Sequence, residues 1–173
     1  MNDKRKESAF TLMEMMVVIV IAGILTAGSI FVLTKTGRYY KLRETVAILH
    51  SDCTLMRQYA EEKSATHAIA FTATGWKTLI IDNGVHIISS NDFPNQVRLG
   101  YTGSISKKAD GSSGSPPTDG IDFPSDTIFF YKTRSASPGA VYFTNGDETR
   151  AVLVNSIGMA QVLIWDGGNW KEQ

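Results

Sequence analysis

At 173 residues, 43% of them hydrophobic and 20% charged, the chain can hold one modest domain beside any membrane-directed segment. Lys+Arg and Asp+Glu both number 17, so no global basic field exists to collect nucleic acid. A single cysteine, Cys53, excludes an internal disulfide, and a domain in an oxidising compartment would rest on its core alone.

Residues 1–9 form a short leader carrying Asp3, Lys4, Arg5, Lys6 and Glu7. From Phe10 to Leu33 the one ionisable side chain is Glu14, and a helix of that length would run about 36 Å, enough to cross the hydrocarbon core of a bilayer. A secretory signal peptide does not fit: the apolar run is too long, and no small-x-small cleavage site closes it. Charges at membrane depth are costly unless paired, so Glu14 is predicted to be a functional residue with a partner to be found.

The run Ala9-Phe10-Thr11-Leu12-Met13-Glu14-Met15-Met16-Val17-Val18-Ile19 resembles the type IV prepilin family. Its members are cut just before a Phe that opens an apolar helix with Glu as fifth mature residue. Ala9 stands where the family usually has Gly. The resemblance implies that a prepilin peptidase cuts between Ala9 and Phe10 and methylates the new amine of Phe10. It also implies that Glu14 pairs with that amine on a neighbouring subunit, fixing register during assembly. The leader would lie in the cytoplasm, with a single pass through the inner membrane and the C-terminal domain in the periplasm. Charge counting leaves that orientation open, because Lys4, Arg5 and Lys6 precede the span while Lys35, Arg38, Lys41 and Arg43 come closely after it. Removing residues 1–9 takes away three basic and two acidic residues, leaving 14 against 15, a formal charge of −1.

Past Leu33 the helix is predicted to continue. Tyr39, Leu42, Val46, Leu49, Cys53, Met56 and Ala60 recur at spacings of three and four, one apolar stripe on a helix, and no proline occurs before Pro94. Lys41, Arg43, Glu44, His50, Asp52, Arg57 and Gln58 are expected to face outward. A helix from Phe10 to Lys63 would be about 81 Å long. Its front half must pack on lipid or on other subunits, and its rear half must be covered by the C-terminal part of the chain. Gly23, Gly28 and Gly37 weaken the helix, yet small residues also let helices approach closely. Met13, Met15 and Met16 read as lipid-facing or interhelical filler rather than copper ligands. Cys53 reads as a buried structural thiol; His50 lies three residues away, but nothing supplies the third group of a nucleophilic site.

From Ser64 onward the texture becomes short β-like segments: His67–Thr72, Trp76–Ile81, Val85–Ser89, Val97–Tyr101, Thr127–Lys132, Ala140–Thr144, Arg150–Val154 and Gln161–Trp165. Between them lie turn sequences such as Asp82-Asn83-Gly84, Asn145-Gly146-Asp147 and Asp166-Gly167-Gly168. The rhythm predicts an antiparallel sandwich or a pair of sheets, lidded by the stripe of 39–60. Residues 102–120, rich in Ser, Gly, Pro, Lys and Asp, are predicted to be a long mobile loop with nothing to bury. Asp110, Asp119 and Asp122 match no EF-hand spacing, so a solvated loop is preferred to a calcium site. His50, His67 and His86 have no metal-ligand spacing, and phosphate loops and a G-x-S-x-G elbow are absent.

The tail, Ala140-Val141-Tyr142-Phe143 and then Ala151 to Val162 with Gly158, resembles the end of the GspH/FimT-like domain of H-type minor pseudopilins of type II secretion. The expectation is an α+β pilin fold in four parts: a leader 1–9, an assembly half 10–33, an amphipathic half 34–63, and a β-rich domain 64–173. The function implied is a non-catalytic minor pseudopilin assisting initiation or the tip of a type II secretion pseudopilus; the alternative is a minor type IV pilin of a pilus or DNA-uptake system. Expected partners are the prepilin peptidase, other pilins or pseudopilins and inner-membrane lipid. No cofactor, metal, nucleic acid or small-molecule substrate is expected: Lys107-Lys108 beside Tyr101 is too little for a nucleic-acid stripe, and no convergent polar constellation marks an enzyme.

Overall fold

The computed structural model describes residues 11–173, and the side chains of all of these except 27–35. It comprises two units, Met1–Gly37 and Arg38–Gln173. Helix α1, Leu12–Glu62, opens in the first and ends in the second. In the first unit none of the described side chains of the helix up to residue 26 is buried. Leu12, Met13, Val17, Val18, Ile19, Val20, Ile24 and Leu25 are all exposed, so from Met15 to Leu25 the helix is apolar right round. Among the described residues no helix is long and apolar enough to cross a membrane. The predicted span 10–33 includes Phe10 and the side chains of 27–33, which lie outside them.

In the second unit the predicted stripe closes on the domain. Leu42, Val46, Leu49, Cys53, Met56 and Ala60 are almost wholly buried. Tyr39 is corrected: it is 39% exposed, and its ring lies 5.3 Å from the guanidinium carbon of Arg150 instead of joining the stripe. His50 and Asp52 are corrected as well. The imidazole Nε2 of His50 meets the carbonyl of Ala160 at 3.2 Å, while Asp52 accepts from Trp76 Nε1 at 2.7 Å and from Asn91 Nδ2 at 3.1 Å. Each residue turns the helix by about 100°, so positions beside the stripe lie at its margins, where a polar side chain reaches the rim of the sheets.

Nine strands complete the described chain: β1 Thr66–Thr72, β2 Gly75–Ile81, β3 Val85–Asp92, β4 Arg98–Leu99, β5 Thr127–Phe130, β6 Gly139–Thr144, β7 Thr149–Val154, β8 Ala160–Trp165 and β9 Trp170–Glu172. They form two antiparallel sheets, ordered β3-β2-β1-β5 and β4-β6-β7-β8-β9. The fold is thus α+β, with a long helix and two antiparallel sheets as predicted. The strand at 97–101 shrinks to two residues, and β9 is an addition to the predicted strands, because three residues are too few to show alternation. Inner-face residues Ile69, Phe71, Trp76, Ile128 and Phe130 of one sheet and Val141, Phe143, Val152 and Val154 of the other join the helix stripe in one core.

The outer faces differ. Across the first sheet the register aligns Phe129, Ala68, Leu79 and Ile87 in one row, with Ile81 beside Val85 in the next. That face is bare at β3, where Val85 is 65% and Ile87 60% exposed. The second sheet is covered by the segment predicted to bury nothing, and that expectation is corrected. Ile105 is 2% exposed, and Ala109 packs with Ala140, Tyr142, Ala151 and Leu163 in a second core. The backbones at both ends of the segment meet at Tyr142. The amide of Gly100 donates to the Tyr142 carbonyl at 2.9 Å, and the Tyr142 amide donates to Gly120 at 2.8 Å. Gly120 has φ +79, and a Cβ on it would lie 2.2 Å from the nitrogen of Gly100, so this closure requires glycine.

Candidate functional site

The first turn of α1 holds the residue singled out for assembly. Thr11 precedes the first helical residue and Glu14 is the third in, the spacing of a capping box. The Thr11 amide donates to Glu14 Oε2 at 2.9 Å, the Thr11 hydroxyl donates to the same oxygen at 3.0 Å, and the Glu14 amide donates back to the hydroxyl at 3.2 Å. Two of the orphan amides of the helix end are thereby satisfied inside the chain. Hydropathy alone passes over Thr11, although the signal, Thr-x-x-Glu ahead of an apolar run, stands in the sequence. Both bonds to the carboxylate end on Oε2, which leaves Oε1 directed elsewhere. Met13, Val17 and Val18, all exposed, line one surface recess with Thr11 and Glu14. The predicted cut between Ala9 and Phe10, and the methylated amine of Phe10, lie outside the described residues.

In the second unit, the remaining candidates are each committed elsewhere. Cys53 is fully buried, and burial, with the adjacent Asp52 carboxylate adding to it, pushes its thiol far above the ordinary range, which suits packing and not nucleophilic attack. The calcium candidates do not converge. Asp122 is 3.0 Å from the ammonium of Lys108. Asp110 accepts from the hydroxyl and amide of Ser112, which hold its carboxyl below the usual range, and Asp119 accepts from the amide of Ile121. Among the described residues no three His, Cys, Asp or Glu side chains come together as a metal site would need. Lys107 is likewise engaged, donating to Asn169 Oδ1 at 2.8 Å, so the Lys107-Lys108 pair forms no open cationic stripe.

The prokaryotic N-terminal methylation motif matches residues 4–30. Among solved structures, the chain is similar to two of the minor pseudopilin EpsH from the type 2 secretion system of Vibrio cholerae. One has a TM-score of 0.51 at 10% identity and covers 70% of this chain and 92% of that one. The other has a TM-score of 0.49 at 10% identity and covers 77% and 96%. The first of these likenesses is one of fold. No curated protein matches the sequence.

Proposed function

We propose that this chain, type IV pilin-like in its N-terminal motif and in its fold, is a minor pseudopilin: a non-catalytic subunit of a periplasmic filament of the type II secretion kind. The observation that carries the reading is the contrast between the two parts of α1. Between Leu42 and Ala60 the stripe Leu42, Val46, Leu49, Cys53, Met56 and Ala60 is buried in the core formed with the chain's own sheets, whereas from Leu12 to Leu25 the apolar residues are exposed on every side. Burying a side chain of the Val, Leu, Ile or Met type is worth about 1.5–3 kcal/mol, so the front of the helix calls for lipid before assembly and for neighbouring helices after it. Glu14 is the one polar group that the exchange must accommodate. With Oε2 held by Thr11, Oε1 is placed to take the charged amine of a cleaved and methylated Phe10 on a neighbouring subunit, relieving two isolated charges at once.

In this reading a prepilin peptidase processes the chain at Ala9–Phe10, the helix anchors it in the inner membrane, and the β domain faces the periplasm. Intact-mass analysis of protein extracted from membranes tests the first step. A chain beginning at N-methylated Phe10 is expected, and a retained leader would overturn the assignment. Deleting the gene and restoring it separates the filament systems. Protein export should fail and recover with the full chain; loss of pili with export unchanged would replace the pseudopilin reading with the pilin one.

A further inference from the structure

The basic residues just beyond the apolar segment, Lys35, Arg38, Lys41 and Arg43, have no role in the assembly reading and run against a simple cytoplasmic excess of positive charge. The second unit shows what two cations of its surface are built into. A groove of about 380 Å³ is lined by Arg38, Gln96, Val97, Arg98, Asn145 and Gly146. Arg98 is exposed and makes no ion pair among the described residues. Arg38 has one partner, Asp147, at 3.7 Å with both side chains well exposed. Such an exposed pair is worth little and can be exchanged for a stronger anion. The groove is nevertheless fixed in shape, because Asn145 Nδ2 donates to the Arg38 carbonyl at 3.2 Å while its Oδ1 holds the amides of Asp147 and Glu148.

We propose that this groove binds the phosphate of an anionic phospholipid headgroup, with Arg38 and Arg98 as the two cationic arms. The inference rests on the membrane-anchored reading of the chain. Three observations point to lipid. Arg38 lies only five positions past Leu33, the last residue of the apolar segment. Tyr39 and Tyr40 come next, both exposed and packed edge-to-face at 5.7 Å, amphipathic rings of the kind that concentrate at the headgroup level. The chain after Ala9 carries a formal charge of −1, so this groove is a local cationic feature and not part of a general field for anions. Arginine also suits phosphate, since its planar fork donates two bonds to one group. Bound there, a headgroup would fix how deeply the domain sits against the membrane before extraction into a filament.

Full-length protein in nanodiscs tests this, comparing phosphatidylcholine alone with phosphatidylcholine plus phosphatidylglycerol by amide hydrogen exchange. Phosphatidylglycerol should slow exchange at 96–98 and 145–147, and each of Arg38→Gln and Arg98→Gln should lower lipid affinity about five-fold. Arg98→Lys, which keeps the charge, should retain most of the protection. Equal exchange in the two kinds of disc would overturn the proposal, as would equal protection by soluble glycerophosphate over phosphatidylcholine discs. A chain that incorporates into neither disc would instead overturn the membrane reading on which the inference rests.

Discussion

The amide of Ala109 donates to the phenolic oxygen of Tyr142 at 2.9 Å, tying the middle of a polar segment to the residue that also receives both of its ends. Tyr142 lies on β6 with its side chain opposite the main core, and burial pushes its phenol up to about 12. Tyr142→Phe keeps the ring but leaves the buried Ala109 amide without an acceptor, which should cost about 1–3 kcal/mol. Urea unfolding would measure it, and exchange at 103–119 should accelerate in parallel. Removing residues 104–117 should be worse, since it uncovers Tyr142, Ala140 and Leu163. A deletion as stable as wild type would show that the cover contributes nothing.

The carboxylate of Asp52 couples helix to sheet through Trp76 and Asn91. Hydrogen bonds to charged groups contribute about 1.5–3 kcal/mol, and Asp52→Ala leaves the Trp76 indole N–H without its acceptor. Asp52→Asn keeps an oxygen and should lose less. Equal melting temperatures for all three proteins would refute the coupling.

The turn between β8 and β9 is predicted to be acid-sensitive. Asp166 is held well below the usual carboxylate range by Lys171 at 2.8 Å and by the amides of Asn169 and Gly168, while Lys171 is raised in turn. A lowered carboxyl stabilises the folded turn above the ordinary carboxylate range, and that contribution is lost as pH falls from about 4 towards its folded value. A raised lysine acts oppositely: its contribution is full below about 10.4 and disappears as pH climbs past its folded value. Trp165 and Trp170, 5.3 Å apart across this turn, report on it by near-ultraviolet circular dichroism. Their signal should be flat between about pH 5 and 9 and decline in acid. Asp166→Asn should show no acid decline attributable to this turn; an identical profile for the variant would sink the claim.

At the front of α1, Thr11 and Glu14 are predicted to separate two roles. Thr11→Val removes the hydroxyl and loosens the first turn, at a cost of about 1 kcal/mol, while the carboxylate stays. Glu14→Ala should leave membrane insertion and cleavage intact and impair incorporation into the filament, with Glu14→Gln between it and wild type. Crosslinking to other pilin subunits measures incorporation. If Glu14→Ala crosslinks like wild type, Glu14 is a helix cap alone and its intersubunit role is withdrawn.

Elements whose signal is local and repeated were legible in the residues alone. A spacing of three and four from Leu42 to Ala60 is enough to specify the buried side of a helix. Alternation bounded by turn residues is enough for β1, β2, β6, β7 and β8. Thr-x-x-Glu is equally legible, because a capping box spans four residues. What the margins of the helix and the cover of the second sheet do depends on long-range packing. Asp52 and His50 look solvent-bound on a helical wheel and find partners 24 and 110 residues away. Ile105 and Ala109 are two apolar residues in a polar stretch, too few to form a periodic signal. Ala109 is buried because Tyr142, Ala140 and Leu163 present an apolar outer face on the second sheet. Hydrophobic periodicity describes one element against an unspecified interior; which distant surface remains to be covered is set by how the sheets pair, and no local pattern carries that information.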